Sequence, residues 1–432
     1  MASEWRHVPL ATLMDVKHGF AFPGENIRDA PPGDILLTPG NFAIGGGFKG
    51  DKFKFYDGEV PEDYVLQEGD LIVTMTDLSK QSDTLGYPAL VPRPQGHRFL
   101  HNQRLGKVLI KHDAGLDKRF LYYLLCTAEY RHEVLAGSTG TAIKHTSPGR
   151  ILAYKAKIPP RATQEAIAAV LGALDDKIEL NRRMSATLET MARALFKSWF
   201  VDFDPTLAKF DGRSPAGLDP ATAALFPASF QDSSLGSIPQ GWTAGTVGDA
   251  FHITMGQSPP GDTYNEAGQG LPFYQGKTDF GFRFPTRRVF CIAPTRYAKR
   301  DETLVSVRAP VGAINMAAED CCIGRGLAAV HHKAGAASFT YYAMALLKSD
   351  FALFEAEGTV FGAINRQSFE NLKFVVPPSE IVSAYERIAA PIDQHVRVLD
   401  DQSRTLATLR DALLPKLLSG ELSPPAAMEM TT

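Results

Sequence analysis

The chain is written twice, and that repetition limits its possible architectures more than any other feature of its 432 residues. Trp5 with Gly19 recurs as Trp242 with Gly256, and Phe120, Tyr122 and Tyr123 recur as Phe339, Tyr341 and Tyr342. Ala142, Ile143 and Lys144 match Ala363, Ile364 and Asn365, and KIPP ending at Pro160 matches VVPP ending at Pro378. A unit repeated along a chain is one structural solution used again. The fold must therefore contain two copies of one globule, each leading into whatever its Pro-Pro introduces.

Each Pro-Pro opens a helical seam. Ile167, Leu171, Leu174 and Ile178, then Leu188, Ala192 and Leu195, recur at spacings of three and four, the pattern of one helix packed along another. Tyr385, Ala389, Ile392, Val396 and Leu399, then Leu406 and Leu413, repeat it, with Pro378 before the start and Gly420 after the end. About 38 residues of helix would span roughly 57 Å. Asn181, Ser185 and Ser403 interrupt the seams, either fixing register or facing solvent where the helices diverge.

Between the copies lies a Pro-, Gly- and Ser-rich stretch, which reads as a linker with short helical turns. The expected order is a globule over 1–160, a helix over 161–203, a linker over 204–240, a globule over 241–378, a helix over 379–420 and a tail over 421–432. The globules combine short β-like runs, Asp70 to Thr76 and Thr303 to Val307, with helices over Lys118 to Glu133 and Ser338 to Glu355. The predicted class is mixed α/β (α+β), each globule built on a curved or partly open sheet.

No catalytic constellation emerges. Gly276-Lys277-Thr278 lacks the glycine that a phosphate-binding loop places five positions earlier, where Leu271 stands. Ser258-Pro259-Pro260-Gly261 has glycine where an amino-methyltransferase needs an aromatic residue. No Glu-x-Lys occurs for a metal-dependent nuclease, and Cys126, Cys291, Cys321 and Cys322 have no metal-ligand spacing. The amino terminus has no signal-like pattern, and no apolar run of about 18 residues appears, so a cytoplasmic location is expected and no membrane partner.

A formal net charge of -3 argues against a uniformly basic nucleic-acid binder. Local clustering reverses the argument. Arg283, Arg287, Arg288, Arg296, Lys299 and Arg300 alternate with aromatic residues in the second globule, a pattern open to phosphate contact or to an ordinary solvated strand pair. The first globule offers Lys49, Lys52 and Lys54, with Lys80 beyond a polar turn. Asp77 could accept from a cytosine amino group or organise that turn.

At this point the whole chain resembles the specificity subunits of Type I restriction-modification systems. The likeness rests on the repeat order and on LVSVRAPVGAINMAAEDCCIGRGLAAV with Ser306, Arg308, Gly312, Arg325 and Gly326. GTVFGAINRQSF with Gly358, Thr359, Ile364 and Asn365, and the SWFVDFDP to IPQGW linker, add to it. The resemblance implies two target recognition domains, held apart by an antiparallel coiled coil with pseudo-two-fold symmetry, that read a gapped, two-part site on double-stranded DNA. It implies no catalysis in this chain: two methylation subunits and the restriction subunits would carry S-adenosylmethionine, ATP and magnesium. Candidate DNA contacts are Lys49, Lys52, Lys80, Arg104, Lys144, Lys277, Arg283, Arg287, Arg288, Arg308, Arg325 and Asn365. The first globule departs from the family core, with His101-Asn102-Gln103-Arg104 standing where CIGRG stands. The other reading is a protein-binding scaffold without specific DNA affinity.

Overall fold

Both Pro-Pro signals open long helices, Arg161–Phe200 and Ser379–Ser419. The computed structural model describes residues 5–424 except 78, 80–82, 95, 141–142 and 357–361. The chain divides into two units, residues 1–179 with 403–432 and residues 180–402, so each long helix contributes one part to each unit.

Within the first unit, Ile167, Leu171 and Leu174 are buried in one cluster with Leu413 and Leu417, and Arg410 Nη1 reaches Asp175 Oδ1 at 2.7 Å. Within the second, Ala192 and Phe196 pack with Tyr385 and Ala389, and the Tyr385 hydroxyl donates to the Ala192 carbonyl at 3.1 Å. In each unit, rising numbers on one helix meet falling numbers on the other, so the pairing is antiparallel. Val396 and Leu399 are also buried, whereas Ile178, Leu188, Leu195, Ile392 and Leu406 are half-buried. Each fully buried aliphatic side chain contributes about 1.5–3 kcal/mol, so the heptad pattern supplies much of each helix's stability. Asn181 does not face solvent: it is buried and donates to Gln402 Oε1 at 2.9 Å. A buried asparagine paired with Gln402 at the seam's edge favours a single register.

Among the described residues each globule is built on two main sheets. In the first unit a four-stranded sheet runs in the order Met14–His18, Leu105–Ile110, Leu71–Thr74, Pro88–Leu90. A five-stranded sheet runs Ile27–Arg28, Lys54–Tyr56, Asp34–Leu37, Phe99–His101, Val65–Leu66. The second unit repeats both orders, with Phe251–Met255, Leu327–His332, Thr303–Ser306, Ile314–Met316 and then Tyr264–Asn265, Phe290–Cys291, Leu271–Tyr274, Cys321–Ile323, Tyr297–Ala298. In both five-stranded sheets the third and fourth strands are parallel. A further antiparallel pair, Arg6–Pro9 with Lys155–Ile158 and Thr243–Thr246 with Lys373–Val376, closes each globule just before its long helix.

The expected helix over 118–133 is divided into Lys118–Leu125 and Ala128–Ala136. Thr127 makes the break, its hydroxyl donating to the Leu124 carbonyl at 2.7 Å and accepting from Tyr130 N–H at 3.4 Å, which caps the second piece. The counterpart divides likewise, into Ala337–Leu346 and Lys348–Ala356. The stretch expected as a linker belongs to the second unit: it forms helices Asp204–Phe210 and Pro220–Ala224 and the hairpin Phe230–Ser233 with Gly236–Pro239. Phe226 and Ile238 join Trp199 and Trp242 in the main core, so this connection is part of the packing.

Candidate nucleic-acid interface

In the second unit, strand ends from both sheets converge on Gly324-Arg325-Gly326, the short connection between Cys321–Ile323 and Leu327–His332. Gly324 N–H donates to the Tyr274 carbonyl at 2.9 Å, and Val307 N–H donates to the Gly326 carbonyl at 2.9 Å. Gly256 N–H donates to the Leu327 carbonyl at 2.8 Å, and Gln257 N–H to the Ile323 carbonyl at 3.1 Å. Both glycines of the connection lie against Gln275: a Cβ on Gly326 would sit 2.3 Å from the Gln275 carbonyl oxygen. The backbone is thereby pinned while the Arg325 side chain stays exposed. Arg325 N–H is 3.3 Å from Ser258 Oγ, and Gln275 Nε2 is 3.5 Å from the same oxygen.

Three more sequence candidates reach this edge. Arg308 is exposed beyond Thr303–Ser306 and bridges to Ala363. Two residues past that bridge, exposed Asn365 caps helix Arg366–Glu370, its Oδ1 accepting from Ser368 N–H at 2.9 Å. Exposed Lys277 opens the short 3-10 turn Lys277–Asp279 after Leu271–Tyr274. Among the described residues no ion pair joins Lys277, Arg308 or Arg325 to an acid.

The basic cluster at 283–300 is different. Arg287 pairs with Glu319 and Arg288 with Asp279 at 2.8 Å, while Lys299 pairs with Asp320 at 2.8 Å. Their charge is largely compensated in place, which reduces what each can offer a phosphate. Arg283 requires a correction. It is 1% exposed and donates to Asp393 Oδ1 and the Tyr342 hydroxyl, each at 2.8 Å. A guanidinium enclosed in this way cannot reach DNA.

The first unit builds the same edge from different residues. Phe20 N–H donates to the His101 carbonyl at 2.9 Å, Gln103 N–H to the Phe20 carbonyl at 2.8 Å, and Met75 N–H to the Arg104 carbonyl at 2.9 Å. Gln103 and Arg104 are exposed. They border a cavity of about 200 Å³ that Phe22, Leu36, Thr38 and Lys54 also line. Lys49 and Lys52 are exposed around a glycine turn, where their carbonyls accept from Asn41 Nδ2. Lys144 is half-buried on Lys144–His145, paired with Thr76–Asp77, and Lys80 lies outside the described residues.

Asp77 serves its turn. Its side chain is buried and accepts from the N–H groups of Ser79 at 2.6 Å and Leu85 at 3.0 Å, and from that of Thr84. Burial opposes the charged carboxylate, but those donors together outweigh it and hold the carboxyl below its usual range. The repeat alignment is also corrected. Thr146 N–H donates to the Met75 carbonyl as Ile364 N–H donates to Val307, and Ser147 caps the following helix as Asn365 does. The structural counterpart of Asn365 is thus Ser147 rather than Lys144, and the spacing to each Pro-Pro becomes identical.

His101, beside this edge, carries a pH prediction. It is fully buried, with Nε2 donating to the Leu105 carbonyl at 2.9 Å. Burial lowers its pKa to about 4, aided by Lys107 and Lys17 and opposed by the Leu105 carbonyl and Asp70. The unfolded chain then binds the proton more readily, so stability falls as the pH drops through 6.5 toward 4. Between pH 7.5 and 5 the first unit should lose about 2 kcal/mol through this group. Urea midpoints for the wild type and His101→Gln would measure it, and an equal pH slope in both would contradict the assignment.

Among the described residues, no group of three or more His, Cys, Asp and Glu side chains could hold a metal ion. No helix there is long and apolar enough to cross a membrane.

Residues 3–190 match the model of the Type I restriction modification DNA specificity domain. A Methanocaldococcus jannaschii protein, named as the type I restriction enzyme MjaX specificity subunit, is 29% identical over 272 residues, which cover 62% of this chain and 59% of that one. The HindI specificity subunit of Haemophilus influenzae is 25% identical over 357 residues, covering 70% of this chain and 77% of its own. The fold is shared with the Type-I restriction-modification S subunit of M. genitalium, at a TM-score of 0.56 and 17% identity over 96% of both chains.

Proposed function

We propose that this chain is a specificity subunit of a Type I restriction-modification complex, the part that reads the DNA sequence. The observation carrying this reading is the duplicated edge: two copies of one two-sheet module, each presenting exposed amide and guanidinium groups on a pinned backbone. A pinned backbone carrying such groups suits base-edge recognition, because only the side chain, and not the loop that bears it, has to be ordered on binding. Two modules in one chain suit a target in two parts separated by a gap, and their different residues suit a target without internal symmetry.

The long helices would be the seat for two methylation subunits, with restriction subunits joining them. S-adenosylmethionine, ATP and magnesium would be held by those partners, and methyl transfer and cleavage would be theirs. A near-neutral chain fits such a division, since partners can supply part of the phosphate contact.

The test is a map of modified bases in plasmid DNA from cells expressing the chain with its cognate methylation subunit. Modification confined to one gapped two-part sequence, and absent without the chain, is the expected result. A stable complex that modifies no defined sequence would instead favour a protein scaffold.

A further inference from the structure

We propose that Gln103 and Arg325 are counterpart base readers, the first selecting an adenine in one half-site and the second a guanine in the other. This rests on the DNA-reading function above and names which side chains set which bases.

Backbone hydrogen bonds fix their equivalence, since the four residues His101 to Arg104 set against the five of CIGRG leave the register open. Leu105 N–H donates to the Asn102 carbonyl at 2.9 Å, and Leu327 N–H donates to the Gly324 carbonyl at 3.0 Å. Met75 binds the Arg104 carbonyl as Val307 binds that of Gly326. Asn102-Gln103-Arg104 therefore superposes in role on Gly324-Arg325-Gly326, and the middle residues correspond. By the parallel strand pairs, Leu37 opposite His101 corresponds to Tyr274 opposite Ile323, so Thr38 corresponds to Gln275.

Both middle residues combine exposure with a fixed backbone. Arg325 differs in this from Arg287, Arg288 and Lys299, whose charges meet acids on neighbouring segments. The guanidinium fork matches the two acceptors, O6 and N7, on the major-groove edge of guanine, whereas a glutamine amide offers the donor and acceptor that adenine N7 and N6 require. The cavity beside Gln103 adds an apolar lining from Phe22 and Leu36, suited to the methyl group of the thymine paired with that adenine. In the second unit, Gln275 and Ser258 occupy the ground next to Arg325, a polar setting suited to a G·C pair.

The experiment compares modified-base maps of plasmid DNA from cells holding the full chain and its methylation subunit, with wild type, Arg325→Ala, Arg325→Gln and Gln103→Arg. Arg325→Ala should reduce discrimination at a single guanine position by about ten- to a hundred-fold. Arg325→Gln should move that position toward adenine, and Gln103→Arg should move one adenine of the other half-site toward guanine. In every case the opposite half-site keeps its sequence. Unchanged bases in all variants, changes in the same half-site from both residues, or loss of modification in all three would overturn the assignment. A wild type that modifies no defined sequence would instead remove the function on which it rests.

Discussion

Replacing Arg283 with methionine should lower the stability of the second unit by about 3–5 kcal/mol, the range for removing one partner of a buried ion pair. The guanidinium lies 3.9 Å from the Tyr341 ring centroid and donates to Asp393 and Tyr342, with Glu189 Oε2 at 3.3 Å. Methionine fills much of the volume but leaves the Glu189 and Asp393 carboxylates without the cation they share, with Asp393 retaining the Tyr342 hydroxyl at 3.0 Å. The loss should thus come mainly from uncompensated charge. Urea unfolding of the full chain, monitored by the fluorescence of Trp199 and Trp242 in this unit's core, would measure it. Arg283→Met combined with Asp393→Asn should recover more than about 1 kcal/mol, since contacting charges couple. A single variant within about 1 kcal/mol of wild type would show that the pair contributes little.

The reason sequence alone misplaces Arg283 explains which parts of this molecule are legible in its residues. Arg283 comes after Phe282 and before Phe284, so local sequence places it in a basic, aromatic strand pair. Its acids stand on the two long helices, at Glu189 and Asp393, and no local pattern links them. Arg287 and Arg288 are visible as charge, but not the Glu319 and Asp279 that answer them. Reading charge without partners overestimates how basic this surface is.

Features written in a local period are readable. The seams reveal both long helices because burial at spacings of three and four recurs over many turns, and the Pro-Pro pairs mark their starts. The sheets are not readable, since strands such as Ile27–Arg28 and Tyr297–Ala298 are two residues long. Pairing between Asp34–Leu37 and Phe99–His101 joins segments about sixty residues apart and leaves no spacing to detect. At the interface, Arg308, Arg325, Arg104 and Lys277 stand out as basic residues and are exposed. Gln103 does not stand out, because its correspondence to Arg325 is fixed only when the two copies are matched by hydrogen bonds.

That match also isolates a residue whose smallest enlargement should disable one edge. A Cβ on Gly256 would lie 2.2 Å from the Gly324 carbonyl oxygen and 2.8 Å from that of Leu327; on Gly19 it would lie 2.0 Å from the Asn102 carbonyl oxygen. Neither glycine has a positive φ, so each is required for space rather than for backbone conformation. Every obstructing atom belongs to backbone that the Arg325 or Gln103 connection depends on, and it cannot rotate away as a side chain could. Gly256→Ala should therefore destabilise the second unit by at least the roughly 3 kcal/mol at the top of ordinary overpacking costs. It should also separate Gly256 and Gln257 from the Leu327 and Ile323 carbonyls that they bind, releasing the support under Arg325. In the modified-base map, base preference in the Arg325 half-site should fall at several positions together, unlike the single position changed by Arg325→Ala. Gly19→Ala should do the same to the other half-site. If Gly256→Ala kept wild-type urea stability and full discrimination in both half-sites, close approach of these strand ends would not be what holds the reading edge in place.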